Sequence, residues 1–579
     1  MKTLLKQMFV IVSLCSATAV YAQTSLPRDW QWVTGGQTNT DYTWVHAATT
    51  DSKDNVYIAG SYKKNITVDS QTYTGPGLRN IFLAKIDSSG HTLWVYNLPC
   101  PNSAMAEGEG VVLDKAGNAY ISFNFDDWIY PPTGDSIMSH SGLPDIGVAK
   151  VDSNGHQVWI KTWGTFEEET ISNLAIDSND HISFTGIYSW EVPGYTIDFG
   201  AYSLYGTHAG TQYLTQIDTA GNVLWAKNIA DPGKTRYITI RADAQGNLCI
   251  TGSFTTDSVD FSGIVLTRMP YNSQDIFLAK FNDNGDVQWA RSIGSVVPAG
   301  GIPGSLLGND VCFDAAGNVY QVGSEQIPTF DSLVFENGTS ISVNSGFLAK
   351  YTPSGQLSWV KRVGQEYAGA PLYTLTNPMY LSIDNRQRIY ISGEYHTSAV
   401  FGPDTIIGPP YGYNDQFIAL YDTAGNGRLG EDLKRSYAGP VCATNNGFVY
   451  AAGMANMSMT FGTHYFQLTS GKAYFVAKLN VPYEKNETPV TTGISSVSKE
   501  KEGIPVIYPN PANSFFRIEL PKMDFEQVDL IDVQGKIITS ASVLQRNQQI
   551  NLPPLAAGIY YVRFIGKDKT VTYPLSIAL

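Results

Sequence analysis

Short apolar runs, each closed by a glycine or an aspartate turn, follow one another along the chain and form one recurring unit. Its first half is an extended run ending in Asp, a tight turn, and an apolar strand ending in Gly. It is seen in Asp51-Ser-Lys-Asp-Asn-Val-Tyr57-Ile-Ala-Gly60, Asp114 to Tyr120, Asp177 to Gly186, Asp243 to Gly252, Asp314 to Gly323, Asp384 to Gly393 and Thr444 to Gly453. The second half is an Ala-Lys strand, another turn and a Trp strand. It runs from Phe82-Leu-Ala-Lys85 to Trp94, Val148 to Trp159, Leu214 to Trp225, Phe277 to Trp289 and Phe347 to Trp359. The tryptophans therefore return about every 65 residues, and a fixed period outranks local propensity as a guide to fold. Aspartate opening a turn and glycine in its left-handed position mark a hairpin, so each unit predicts two hairpins and four strands.

The sixth unit keeps Phe417-Ile-Ala and Asp422-Thr-Ala-Gly425 but has no Trp, and the seventh stops at Phe475-Val-Ala-Lys478 with no Trp strand. The segment Asp29-Trp30-Gln31-Trp32-Val33-Thr34-Gly35-Gly36 resembles Val158-Trp159-Ile-Lys-Thr-Trp-Gly164 and has no partner of its own. It is expected to supply the missing strand of unit seven, so that no bare edge remains. The expected fold is all-β: a seven-bladed β-propeller with its N-terminal strand closing the last blade. An open or six-bladed arrangement is the alternative. Over roughly residues 29 to 481 the unit resembles the SBBP-type β-propeller repeat of exported bacterial proteins, which implies a fold and a setting but no single activity.

Residues 482–504 hold few large apolar side chains and read as a linker. Beyond them, alternating strands surround Val506-Ile-Tyr508-Pro509-Asn510-Pro511, then Val528 to Asp532 with Gly535-Lys536, then Gly558-Ile-Tyr560. This alternation predicts a small immunoglobulin-like β-sandwich over 505–579. The three motifs resemble the type A C-terminal sorting domain of the Bacteroidetes type IX secretion system. That resemblance implies the secretion machinery as partner and release from, or attachment to, the outer surface. It assigns the recognition motif to Tyr508, Pro509, Asn510, Pro511, Gly535, Lys536, Gly558 and Tyr560.

Residues 1–22 read as a cleavable signal peptide: Lys2 and Lys6 precede an apolar run from Met8, and Val20 and Ala22 stand at the small-residue cleavage positions. The remaining domain, 23–481, is the propeller, expected to be a monomer that is secreted or attached to the outer-membrane surface after crossing the periplasm. No later apolar stretch is long enough to span a bilayer, so no transmembrane insertion is expected. A net charge of -14 without a basic cluster argues against nucleic acid as a partner. Of Cys100, Cys249, Cys312 and Cys442, the last two occupy one repeat column two units apart, beyond the reach of a disulfide, and Cys249 stands in a column usually filled by Tyr; buried free thiols are expected, with disulfide pairing the alternative.

Both tight turns of each unit lie on one face, so the long connections on the other face form the expected ligand side. It carries Trp128, Tyr130, Trp190, Tyr195, Tyr205, Tyr411 and Tyr413, rings able to stack on a glycan or anchor a protein. The simpler reading is that Ile197-Asp198-Phe199 and Val259-Asp260-Phe261 form small extra hairpins whose rings pack on the sheets. Acids in the same connections, Glu107 with Glu109, Asp126 with Asp127, and Glu167 to Glu169, suggest glycoside chemistry only if they converge. Otherwise they are solvated loop charges. The Asp283 to Asp286 turn lacks a full set of calcium ligands. No zinc spacing, nucleophile elbow or phosphate loop is present, and neither cofactor nor metal is implied. The function expected is binding of an unknown glycan or protein. The alternatives are a polysaccharide hydrolase or lyase and a structural envelope component.

Overall fold

The computed structural model describes residues 26–483 and 506–577, apart from short stretches of which 365–375, 297–304, 326–331, 409–414 and 509–514 are the longest. The chain divides into two compact units, 1–492 and 493–579.

In the first unit the described residues form seven sets of four antiparallel strands. The first set is Thr43–Thr50, Val56–Tyr62, Asn80–Ile86 and Thr92–Leu98. The first strands of the following sets are Glu107–Leu113, Thr170–Ile176, Thr235–Ala242, Leu306–Phe313, Thr376–Ile383 and Ser436–Ala443. Each touches the first strand of the next set, and Ser436–Ala443 touches Thr43–Thr50, so the order of contacts returns to its start. The outer strand of the seventh sheet is Asp29–Thr38, paired antiparallel with Lys472–Asn480 through most of its length.

The landmarks of the repeat are side chains that hold turns and sheets together. Asp51 accepts hydrogen bonds from the Lys53 and Asn55 backbone amides and from the Asn55 side chain at 2.9, 3.0 and 2.7 Å. Lys85 lies 3.6 Å from the same carboxylate and 4.9 Å from the centre of the Tyr57 ring. Asp114, Lys150 and Tyr120 repeat this set, as do Asp314, Lys350 and Tyr320. The conserved spacing of Asp, Tyr and Lys is thus one buried knot on the second and third strands.

Each tryptophan reaches into the next sheet. The indole nitrogens of Trp94, Trp159, Trp225 and Trp289 donate to the carbonyls of Ser153, Thr219, Asp283 and Pro353 at 3.0–3.2 Å. Trp32 on the N-terminal strand does the same to Ser88 at 3.0 Å. Each ring lies over the glycine of the turn it reaches. At Gly90, φ is 93° and a Cβ would come within 2.9 Å of the Trp32 ring. The missing tryptophan of unit six has a physical reason. The third and outer strands of the seventh sheet come from opposite ends of the sequence, so no turn joins them to receive a ring. Leu429 takes the tryptophan register opposite Leu420 and is buried with Leu26, Trp30 and Val481.

The extra hairpins pack as the simpler expectation has it: Ile197, Phe199, Val259 and Phe261 are buried. Two of the hairpins also extend a preceding sheet, Ser332–Phe335 along Val287–Val296 and Asn65–Val68 along Asp29–Thr38. An outer edge so covered is closed to stray strand pairing. Cys100, Cys249, Cys312 and Cys442 are buried and free.

In the second unit a three-stranded sheet (Val506–Tyr508, Phe515–Glu519, Asn547–Asn551) and a four-stranded sheet (Ile537–Ser542, Gln527–Ile531, Gly558–Ile565, Thr570–Ile577) share one core. Phe516 and Ile518 from the first meet Leu530, Val562, Phe564 and Leu575 from the second.

Candidate functional site

Every first strand of the seven sheets leaves register with its neighbour once. The slip falls between Val45 and Ala47, Gly108 and Gly110, Ile171 and Leu174, Arg236 and Thr239, Gly308 and Asp310, Pro378 and Tyr380, and Ala438 and Val441. Such a bulge leaves residues unpaired and re-aims their side chains. Here the bulged residues His46, Glu109, Ser172, Asn173, Ile238, Asn309 and Met379 all line a single cavity of about 550 Å³. A repeated backbone irregularity thus builds one site from six of the seven sheets. Its volume lies within the range of small-molecule sites.

The cavity is rich in ionisable groups, but they largely neutralise one another. Glu107 is held by the guanidinium of Arg79 and by the Tyr42 hydroxyl, which donates at 2.9 Å. Arg79 also lies over the Tyr42 ring, 4.7 Å from its centre. Glu109, on the same strand and face, accepts from Asn124 at 3.1 Å. Burial, reinforced by the negative charge of Glu107, pushes the Glu109 carboxyl up to about 8, so it is protonated at neutral pH and shares a hydrogen bond with Glu107. His46 lies 4.0 Å from Glu109, and burial lowers its pKa, keeping the ring neutral. Its Nε2 has no hydrogen-bond partner.

Asp310 pairs with Arg241 at 3.0 Å and accepts the Leu381 and Val311 amides at 2.9 and 2.8 Å. Asn309 donates to the Pro378 carbonyl at 2.7 Å and to Asn377 at 3.1 Å. Glu169, fully buried, accepts from the Thr165 hydroxyl and amide, and burial pushes it up to about 8 as well. The Thr235 hydroxyl is buried in the cavity wall without a partner. Tyr380 completes the wall with an aromatic ring whose ionisation is suppressed by burial and by Asp310 and Glu109.

This arrangement corrects the reading of the acids as solvated loop charges. Glu107 and Glu109 sit on a strand, and Glu169 is buried. The sequence signal for the cavity was the small-residue or polar interruption within each first strand, such as Gly108-Glu109-Gly110 or Gly308-Asn309-Asp310.

Four of the aromatic residues expected on the ligand face are among the described residues. Trp128 is half-buried opposite Met138 in its hairpin, Tyr130 is exposed, Tyr195 is half-buried, and Tyr205 is exposed opposite Thr196. None of these four lines the cavity. Trp190, Tyr411 and Tyr413 lie outside the described residues. Of the sorting motif, Tyr508 ends a strand, Lys536 is exposed with its amide donating to Asp532 at 2.9 Å, Gly558 pairs with Ile577, and Tyr560 packs on the core. Pro509, Asn510, Pro511 and Gly535 lie outside the described residues.

Residues 506–577 match the secretion system C-terminal sorting domain. The sorting domain directs the chain through the type IX system to the cell surface or the extracellular space. For the rest of the chain the similarities are distant. An uncharacterized WD repeat-containing protein of Acanthamoeba polyphaga mimivirus is 21% identical over 423 residues, which span 60% of this chain and 30% of that protein. Among solved structures, a catalytically inactive virginiamycin B lyase from Staphylococcus aureus with quinupristin is 10% identical. It covers 79% of this chain and 100% of its own, at a TM-score of 0.37. PorZ, a surface component of the type IX secretion system of Porphyromonas gingivalis, is 10% identical, with 94% and 100% covered and a TM-score of 0.12. Among the described residues no helix is long and apolar enough to cross a membrane.

Proposed function

We propose that this chain is an exported seven-bladed β-propeller, residues 23–481, that presents an axial ligand-binding cavity at the cell surface or in the surrounding medium. Residues 482–504 are its linker, and 505–579 form an immunoglobulin-like sandwich read by the type IX machinery. The observation that carries the reading is the bulge repeated in all seven first strands, whose residues from six sheets converge on one cavity. A structural spacer has no need for an irregularity that breaks its own ladders at the same place in every unit.

The test is a binding screen by calorimetry on the exported protein, with Asn309→Ala and Met379→Trp as cavity variants. A ligand whose affinity falls in both variants supports the axial site. A ligand indifferent to them but lost on Tyr130→Ala or Tyr205→Ala would place binding on the insert hairpins instead and defeat the proposal.

A further inference from the structure

The lining of the axial cavity is unusual in what it lacks at neutral pH, namely net charge on its central groups. Glu107 is answered by Arg79 and Asp310 by Arg241. Glu109 and Glu169 are carboxylic acids rather than carboxylates, and His46 is neutral imidazole. Beside the lining carboxylate of Glu168, the groups left to meet a ligand are therefore a carboxylic acid, an imidazole, amides and hydroxyls. Each can both donate and accept a hydrogen bond, apart from the paired ions.

Two lining atoms are unsatisfied within the protein: the Thr235 hydroxyl, on a side chain with 0% exposure, and His46 Nε2. A buried polar atom without a partner costs about 1–3 kcal/mol, and a ligand or an ordered water that satisfies it recovers that cost. Between these polar positions lie apolar ones: the Tyr380 ring, Met379, Ile238, Ile171 and Met105. Close by, on the loop that leads to the lining residue Glu168, Phe166 is 69% exposed. Alternating donor–acceptor groups and apolar faces are the complement of a pyranose, whose hydroxyls are bifunctional and whose C–H faces stack on rings.

We infer that the axial cavity takes the end of an uncharged, hydroxyl-rich oligosaccharide, with the Thr235 hydroxyl and His46 Nε2 receiving sugar hydroxyls and Tyr380 offering its ring. The inference rests on the reading of the cavity as the ligand site and adds the class of ligand. A polyanionic chain, sulfated or uronate-rich, would bring charge to a wall whose arginines are already committed to Glu107 and Asp310. A cationic chain would find two of the central acids protonated.

The experiment is calorimetric titration of the exported full-length protein at pH 7 with three oligosaccharide sets: neutral, uronate or sulfated, and amino-sugar. Neutral chains should bind, and the others should bind at least tenfold more weakly. Thr235→Val, which keeps shape and removes the hydroxyl, should weaken neutral binding about five- to tenfold with a melting temperature no lower than that of the unaltered protein. Preference for a charged chain that is still lost in the Asn309→Ala and Met379→Trp variants would overturn the ligand class and leave the site standing. Neutral binding insensitive to every cavity variant would overturn the site itself. Absence of neutral binding up to about 1 mM would overturn the inference outright.

Discussion

Replacing Trp32 by alanine should loosen the junction between the two ends of the first unit and little else. The Trp32 indole donates to the Ser88 carbonyl, lies over Gly90 and meets the Tyr450 ring at 5.7 Å. Losing the hydrogen bond costs about 1 kcal/mol. Truncating a fully buried tryptophan costs roughly 3–5 kcal/mol, and a half-buried ring about half of that, so the substitution should remove about 3 kcal/mol in all. Trp159→Ala removes the equivalent contacts two sheet-to-sheet junctions along the chain, on Thr219 and Gly221. The difference lies in connectivity. The strand carrying Trp159 is tied to its sheet partner by a tight turn, whereas Asp29–Thr38 is joined to Lys472–Asn480 by no turn, only by their ladder, and pairs at its far end with Asn65–Val68. Hydrogen exchange followed by mass spectrometry reads this directly. In Trp32→Ala the amides of both strands should exchange about a hundredfold faster, the factor that 3 kcal/mol implies. In Trp159→Ala they should not change while global stability falls by a similar amount. Equal acceleration of Asp29–Thr38 in both variants, or none in the first, would refute the idea that this tryptophan latches a non-covalent seam.

Three further outcomes follow from the same geometry. Glu109 and Glu169 are raised from 4.5 to about 8 in the fold, so the folded state holds more protons than the unfolded one between these values. Stability should therefore decline as pH rises from about 4.5 to about 8 and then level off, with a shallower decline in Glu109→Gln; urea denaturation across this window that shows a rise would contradict the assignment. Arg241→Ala leaves the buried Asp310 carboxylate with hydrogen bonds but no counter-cation, and should cost roughly 3–5 kcal/mol in urea denaturation, most of it recovered when Asp310→Ala is added. In the sorting domain, Asp529 is buried and accepts from Gln527, Ser540 and Arg563 at 2.7, 2.6 and 2.8 Å, so Asp529→Ala should cost about 1–3 kcal/mol and reduce the fraction of protein reaching the surface, as read by fractionation and protease shaving.

The scaffold was legible in the sequence because its landmarks are local and repeated. Asp51, Tyr57, Lys85 and Trp94 stand at fixed offsets because each must meet the others or the next turn, and a defect at one offset is visible against the other units. The orphan segment around Trp32 could be assigned to the seventh unit for that reason. The cavity was far less legible. Its residues are the ones that break the pattern, His46, Glu109, Asn309 and Met379, and they differ in type from sheet to sheet, so no column of like residues marks them. Reading Glu107 and Glu109 as loop charges followed from their polarity. What the sequence could not convey is that both line one cavity whose other walls come from residues as distant as Asp310 and Tyr380. The aromatic residues, conspicuous in the sequence, drew attention to the insert hairpins, where Trp128 and Tyr195 are half-buried.

The pairing of Asp29–Thr38 with Lys472–Asn480 joins the earliest strand of the described residues with one roughly 440 residues later. Sheets one to six can assemble from neighbouring sequence, but the seventh must wait with an open edge on Lys472–Asn480 until the earliest strand returns to it. Loop-closure entropy makes that final step slow, and the waiting edge is prone to pair with another chain. The same step, once taken, holds the first and last sheets of the array in one ladder, so the array opens only by breaking a sheet. For a protein that works outside the cell, where nothing refolds it, a late and difficult closure becomes a long lifetime.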